Sequence, residues 1–149
     1  MQLGIIGLPQ SGKTTLFNAL TRGDVPTGIS GGKVEVHTAV IDVPDDRVGQ
    51  LAATFEPKKI IHAKATYADI AGLEGKSTPG SISGPLLNTL SQMDGFIHVV
   101  RHFTNPSVPH SEGSVDPQRD ISAMETELML NDLIIVERKL DRLEEEKQR

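Results

Sequence analysis

The stretch GLPQSGKT, residues 7–14, matches the phosphate-binding pattern G-x-x-x-x-G-K-[ST] at every fixed position. Residues 3–6 before it are apolar and partly β-branched, which predicts a buried strand, and residues 15–20 after it predict the opening of a helix. A strand, a glycine-rich loop and a helix in this order are the context in which the pattern binds phosphate. The sequence therefore predicts that this loop binds a nucleoside triphosphate.

Each fixed position of the loop has a chemical task. The glycines let the chain curl so that successive backbone N–H groups point at phosphate oxygens, and the following helix adds the positive end of its dipole. Lys13 supplies a point charge for the β- and γ-phosphates, and the Thr14 hydroxyl is an oxygen ligand for Mg²⁺. The residues predicted to contact the nucleotide here are Gly7, Pro9, Gln10, Ser11, Gly12, Lys13, Thr14 and Thr15.

Size and composition are those of a small globular protein. The 149 residues suit one domain with one core, and the chain is 37% hydrophobic and 23% charged. A net charge of −5 argues against a broad nucleic-acid surface. No apolar run approaches the ~20 residues of a membrane-spanning helix, and the chain contains no cysteine. We expect a cytoplasmic protein with no membrane contact and no direct nucleic-acid contact in this segment.

Patterns after the loop predict an α/β fold with a mainly parallel sheet. Apolar, β-branched runs alternate with helix-start signals such as Pro44-Asp45 and with loops rich in glycine, proline and serine. The last apolar run is nearly free of polar residues, which is typical of a central parallel strand covered on both faces. The predicted strands are residues 3–6, 34–43, 60–68 and 96–100, and the predicted helices begin near residues 15, 44 and 85.

A long C-terminal helix is predicted over residues 116–149. Asp116 and Pro117 supply an N-cap and a proline for its first turn. Apolar residues at alternating spacings of four and three form a coiled-coil-like seam that requires a partner helix. We therefore divide the chain into a P-loop nucleotide-binding domain at residues 1–115 and this helix. The seam consists of Met129, Leu133, Val136, Leu140 and Leu143.

A second motif, D-x-x-G at residues 69–72, follows an apolar strand. Its Asp69 is predicted to hold Mg²⁺ through water, and the backbone N–H of Gly72 to reach the γ-phosphate. The next residue is Leu73, where a Ras-like switch places a glutamine that orients the attacking water. A leucine side chain has neither donor nor acceptor, so it cannot orient water. If the protein hydrolyses nucleotide, the polar group must come from elsewhere.

Two further points concern the base and the missing polar group. No N-K-x-D motif follows Asp69, because none of the later lysines stands after an asparagine, so the choice between ATP and GTP stays open.

His110 lies in the long loop after the last predicted strand, at the sheet edge where ligands bind, and we consider it as the group that orients water. The alternative is a solvent-exposed loop histidine.

These motifs together resemble those of the YchF/Obg-like ATPases, a branch of the Obg-related translation-factor class of P-loop GTPases. The resemblance implies a Ras-like nucleotide domain interrupted by a helical coiled-coil insertion, then a base-recognition motif and a TGS domain, and it implies association with ribosomes. It also implies that the nucleotide domain here is incomplete, that residues 116–149 begin the insertion, and that ribosome contact comes from segments outside this sequence. The motifs that carry it are residues 7–9, 12–21, 43–45, 69–73, 98–101 and 113–117.

Two positions depart from that family's pattern. Gln10 stands where the loop of the family has an asparagine, which in cation-assisted relatives ligates a monovalent ion. The threonine of the first switch would fall near Lys33 by register, and Thr27 or Thr38 are the alternatives. Both departures bear on how the chain senses a triphosphate.

Two functions from different classes stay open on the sequence. The first is slow Mg²⁺-dependent hydrolysis of GTP or ATP that acts as a molecular switch in translation. The second is a non-hydrolysing binding module whose nucleotide state gates docking of the helical seam, and Leu73 favours it. A small P-loop kinase fits less well, because D-x-x-G is a switch signature and no arginine-rich lid segment is visible.

Overall fold

Eight helices and strands make up the described part of the chain. The computed structural model describes residues 1–27, 36–71, 82 and 84–147. The elements in chain order are β1 (Gln2–Ile6), α1 (Lys13–Thr21), β2 (Val36–Asp42), α2 (Asp46–Phe55), β3 (Lys64–Ile70), α3 (Gly84–Ser91), β4 (Gly95–His98) and α4 (Pro117–Lys147).

The four described strands form one sheet in the order β2-β3-β1-β4. β1 pairs in parallel with both β3 and β4, whereas β2 pairs antiparallel with β3. Ile5 of β1 is opposite Asp69 of β3 and Ile97 of β4, so the carboxyl ends of three strands meet at one edge. The predicted α/β fold with a mainly parallel sheet is confirmed, and its topology brings the glycine-rich loop and Asp69 to the same edge.

One apolar cluster anchors both the glycine-rich loop and α4 to the sheet. Leu8 belongs to the loop and Met124 to the second turn of α4, and both are buried in this cluster. Burial of such a side chain stabilises the fold by about 1.5–3 kcal/mol. The glycine-rich loop is therefore held against the sheet by the packing of Leu8 in this cluster. The cluster consists of Ile6, Leu8, Ala68, Ile70, Leu86, Leu90 and Met124.

Two strand predictions are corrected by the sheet. The strand predicted at residues 60–68 begins only at Lys64 and runs to Ile70, because its partner β2 ends opposite Lys64. Ile60 and Ile61 are exposed outside the sheet. The strand predicted as central, β4, forms the edge of the sheet among the described residues, and its Phe96 is 43% exposed.

Two of the predicted helix starts, those of α2 and α4, are confirmed by side-chain caps. The Asp45 carboxylate accepts a hydrogen bond from the Arg47 backbone N–H at 3.0 Å before α2, and Oδ1 of Asp116 accepts one from the Arg119 N–H at 3.1 Å at the start of α4. A side-chain oxygen in this position satisfies an N–H group that the helix leaves unpaired. All five predicted seam residues of α4 are exposed. None of the described helices is long and apolar enough to cross a membrane.

Candidate functional site

The loop between β1 and α1 has the backbone conformation of a tight phosphate-binding curve. Gly7, Gln10 and Gly12 all have positive φ, at 147°, 60° and 102°. A Cβ at Gly7 would lie 2.3 Å from the Val99 carbonyl oxygen, so only glycine fits against the end of β4. Gln10 adopts the left-handed region without being glycine, which costs on the order of 1–3 kcal/mol and is typical of binding sites. Local strain and close packing thus coincide at this loop.

Lys13, the first residue of α1, folds its side chain back over the loop. Its ammonium donates to the carbonyl oxygens of Gly7 at 3.0 Å and of Leu8 at 2.9 Å. Burial lowers the pKa of Lys13, and the negative charge of Asp69 acts in the opposite direction. The ammonium therefore lies inside the curve of the loop, partly shielded from water. An anion at the mouth of the loop would gain a buried cationic partner.

Thr14 and Asp69 meet although they are far apart in sequence. The Thr14 hydroxyl donates to Oδ2 of Asp69 at 2.6 Å. Asp69 is 2% exposed, and its Oδ1 has no hydrogen-bond partner among the described residues. A hydroxyl beside a buried carboxylate with an unused oxygen is the hard oxygen donor set that Mg²⁺ prefers. The residues present thus fit a magnesium ion.

The start of α1 adds a further anion-binding element. No acidic residue occupies its first turn, and its N-cap, Gly12, makes no side-chain hydrogen bond. The N–H groups at the start of α1 and the helix dipole therefore meet no acidic side chain from the helix itself. Thr15 is exposed in this first turn, and Ser11 is buried in the loop with a hydroxyl that has no described partner.

The residues predicted for the second half of the site are only partly described. Gly72, Leu73 and Lys33 lie outside the described residues. The two alternative threonines are both exposed: Thr27 lies in the segment after α1, and Thr38 lies in β2. The assignment of the switch threonine therefore stays a prediction.

His110 is buried, so the alternative of a solvent-exposed loop histidine is wrong. Its side chain is 4% exposed, and its Nε2 lies 2.9 Å from Oδ2 of Asp120 in α4. Its Nδ1 accepts a hydrogen bond from the Glu112 backbone N–H at 3.1 Å. His110 lines a small cavity together with Pro9 and Ser11 of the glycine-rich loop. The histidine is thus next to the nucleotide loop, with Nδ1 in a backbone hydrogen bond and Nε2 against Asp120.

Two buried charged residues near the loop were not singled out from the sequence. Arg101 follows β4 and donates to the carbonyl oxygens of Phe103 at 3.1 Å and Val108 at 2.7 Å, which ties down the loop that carries His110. Asp120 is almost fully buried in the first turn of α4. An arginine after a strand and an aspartate early in a helix are ordinary surface patterns, so neither pattern predicts a buried residue.

A family model and several known proteins match most of this chain. The family model described as 50S ribosome-binding GTPase matches residues 2–139. The Ribosome-binding ATPase YchF of Haemophilus influenzae is 38% identical over 143 residues, which are 95% of this chain and 39% of the relative. The YchF of Bacillus subtilis is 36% identical over 142 residues, 94% of this chain and 39% of the relative. Obg-like ATPase 1 of Oryza sativa subsp. indica is 34% identical over an alignment of 151 positions that covers all of this chain and 38% of the relative.

The fold has a counterpart among solved structures. The Schizosaccharomyces pombe YchF GTPase superposes with a TM-score of 0.70 at 33% sequence identity, over 97% of this chain and 39% of that one. This chain therefore spans about two fifths of the length of the relatives that it matches.

Proposed function

Because the chain belongs to the family of 50S ribosome-binding GTPases, with YchF and Obg-like ATPases as relatives, we propose that it binds GTP or ATP with Mg²⁺ and hydrolyses it slowly. The observation that carries this proposal is the meeting of Lys13, Thr14 and Asp69 at one edge of the sheet. An ammonium, a hydroxyl and a buried carboxylate in this arrangement match the β/γ-phosphates and their metal ion.

Each of these residues has a defined task in binding. Lys13 exchanges its two carbonyl partners for phosphate oxygens, so its buried charge gains an anionic partner. The backbone N–H groups of the loop and of the first turn of α1 donate to the same phosphates. Thr14 and Asp69 hold Mg²⁺, which when bound neutralises charge on the β- and γ-phosphates.

Hydrolysis is the slower part of the proposed activity. Leu73 has no group that orients water, so we assign that task to His110, which lies beside the loop. In this conformation Nδ1 of His110 accepts a backbone hydrogen bond and Nε2 lies against Asp120, which supports a low basal rate. We further propose that Gly72 contacts the γ-phosphate through its N–H group.

The partners of the chain follow from its relatives. Those of Bacillus and Haemophilus are named ribosome-binding ATPases, and we propose that this chain likewise acts in the cytoplasm as a ribosome-associated switch. The seam on α4 is the part that would dock a partner helix, with residues 1–115 as the nucleotide domain and residues 116–149 as the beginning of a helical insertion. No contact with nucleic acid is assigned to this segment itself.

A non-hydrolysing binding module is the second candidate. The contacts of the His110 ring favour it, because Nδ1 already accepts a hydrogen bond from the Glu112 N–H and Nε2 lies against Asp120. In that case nucleotide binding alone would alter docking on α4. Release of phosphate from bound nucleotide separates the two candidates.

A titration of fluorescent ATP and GTP analogues tests nucleotide binding directly. Lys13→Ala should weaken binding by about 2–4 kcal/mol, roughly thirty- to thousandfold in Kd, because it removes charge-assisted bonds. Lys139→Ala, an exposed lysine on α4, is the matched control and should bind like the wild type. Equal affinity of Lys13→Ala and the wild type would contradict the assignment of the loop.

Phosphate release in single turnover, without any acceptor, then tests hydrolysis. A wild-type rate above that of free nucleotide supports the NTPase, and a rate equal to it supports the binding module. Turnover that requires an acceptor substrate would identify a kinase.

A further inference from the structure

The first turn of α4 presents a buried carboxylate to the loop after β4. Asp120 accepts hydrogen bonds on Oδ1 from Nε of Arg119 at 3.0 Å and from Nη2 of the same residue at 2.8 Å. Its Oδ2 accepts no well-aligned hydrogen bond from a described residue, and the Nε2 of His110 lies 2.9 Å away. Since a buried carboxylate needs a partner for each oxygen, the imidazole is the group that offsets the burial of Oδ2.

The backbone around His110 constrains the orientation of its ring. Nδ1 of His110 accepts from the Glu112 N–H, and the Gly113 N–H donates to the His110 carbonyl at 3.0 Å, so a tight turn surrounds the ring. The other ring nitrogen, Nε2, faces Oδ2 of Asp120. In this orientation one nitrogen accepts a backbone hydrogen bond and the other lies against the carboxylate.

Asp120 keeps this position because α4 is anchored independently of the loop. One turn further along, Met124 packs in the core with Leu8 of the glycine-rich loop. One turn earlier, Asp116 caps the helix. The carboxylate is therefore held by helix packing, whereas His110 belongs to a loop without a helix or strand of its own. The carboxylate is the fixed member of the pair and the imidazole is the one that can be released.

We propose that Asp120 is a positioning residue that holds His110 in a stored orientation, and that release from Asp120 limits the rate of nucleotide hydrolysis. The inference rests on the proposed function, because it takes His110 as the group that orients water there. In the stored orientation the ring already lies beside Pro9 and Ser11 of the nucleotide loop, so its release requires only a local movement of the side chain.

The main test compares single-turnover phosphate release from Mg²⁺-ATP and Mg²⁺-GTP among matched variants. Asp120→Asn keeps the shape and the Arg119 contact but removes the charge that holds the imidazole. It should raise the rate about tenfold at saturating nucleotide, with nucleotide affinity within about twofold of the wild type. Asp116→Asn removes the same charge one turn away and keeps a good N-cap, so it should match the wild type. The double variant Asp120→Asn/His110→Ala should be as slow as His110→Ala.

A second readout does not depend on hydrolysis. Diethyl pyrocarbonate reacts with accessible neutral imidazoles, and its reaction at His110 can be quantified by peptide mass spectrometry, with the exposed His102 as the internal reference. We expect protection of His110 in the wild type and in Asp116→Asn. In Asp120→Asn we expect labelling of His110 to be at least about tenfold faster, because the ring has lost the carboxylate that holds it. A tenfold change corresponds to 1.4 kcal/mol. Should Asp120→Asn fail to fold, the smaller Asp120→Ser gives the same comparison.

The outcomes separate this inference from the proposed function. A wild type that hydrolyses nucleotide while Asp120→Asn is no faster, or slower, overturns the stored orientation and leaves the hydrolysis intact. Unchanged labelling of His110 in Asp120→Asn also overturns it. No phosphate release above free nucleotide from any variant overturns the hydrolysis itself, and faster labelling would then show that Asp120 still holds the ring.

Discussion

Replacement of Gly7 by alanine measures how tightly the nucleotide loop packs against the end of β4. The added methyl would lie 2.3 Å from the Val99 carbonyl oxygen, where a carbon–oxygen contact needs about 3.3 Å, so the backbone must shift by about 1 Å. The Val99 N–H donates to the Ile6 carbonyl at 2.8 Å, so that shift strains the pairing of β1 with β4. Overpacking of about 1–3 kcal/mol and a conformational cost of about 1–2 kcal/mol give an expected loss of about 2–5 kcal/mol.

Gly12→Ala is the matched control, because it shares the positive φ without the steric contact. A Cβ there meets nothing within 4 Å, so only the conformational part of about 1–2 kcal/mol applies. Urea unfolding followed by circular dichroism, without nucleotide or Mg²⁺, gives both free energies of unfolding. If the two variants lose the same stability, the close packing of Gly7 against Val99 does not hold the loop, and the reasoning fails.

Three further predictions concern the base, the reaction and pH. Without an N-K-x-D motif the chain should bind ATP and GTP within about tenfold, or 1.4 kcal/mol, and a hundredfold preference in equilibrium titration would identify another base reader. Leu73→Ala should leave single-turnover hydrolysis within a few-fold, since an apolar side chain orients no water, whereas His110→Ala should slow it by about tenfold or more with unchanged nucleotide affinity. Hydrolysis that survives His110→Ala would remove that residue from the mechanism. Burial lowers the pKa of His98, so the unfolded state binds the extra proton and stability should fall as pH drops below about 6.5. His98→Gln should flatten that fall in urea unfolding between pH 7.5 and 5.5, and an unchanged slope would assign it to other groups.

The parts of the site that the sequence predicted are those determined by local spacing. The glycines, Lys13 and Thr14 occupy fixed positions in one short loop, so their meeting follows from the pattern itself. Asp69 was found because a strand end is recognisable and parallel strands share an edge. Its 2.6 Å contact with Thr14 is the geometric consequence of that topology.

The parts that the sequence did not predict depend on long-range burial. Ile60 and Ile61 precede β3 and share its apolar pattern, yet the strand begins only at Lys64, opposite the last residue of its partner β2, and no local property marks that point. His110 lies in a loop whose composition is typical of an exposed segment. It is buried because Asp120, on a helix, and Arg101, after β4, enclose the same small cavity.

The two halves of α4 owe their stability to different sources. Its first half has Asp120, Met124 and Asn131 buried against the rest of the chain, and that packing holds the helix in place. From residue 132 to Lys147 nearly every residue is exposed. This half of the helix is stabilised by ion pairs along its surface, such as the one between Nε of Arg142 and Oε1 of Glu146, which are 3.4 Å apart at i,i+4. Such pairs contribute about 0.2–0.5 kcal/mol each, whereas most of the stability of helices in proteins comes from tertiary packing. Because the exposed half carries most of the apolar seam, burial of the seam is the stabilising contribution still open to it. A partner helix on Leu133, Val136 and Leu140 would therefore stabilise α4 where it is weakest, at the far end from Asp120 and the nucleotide loop.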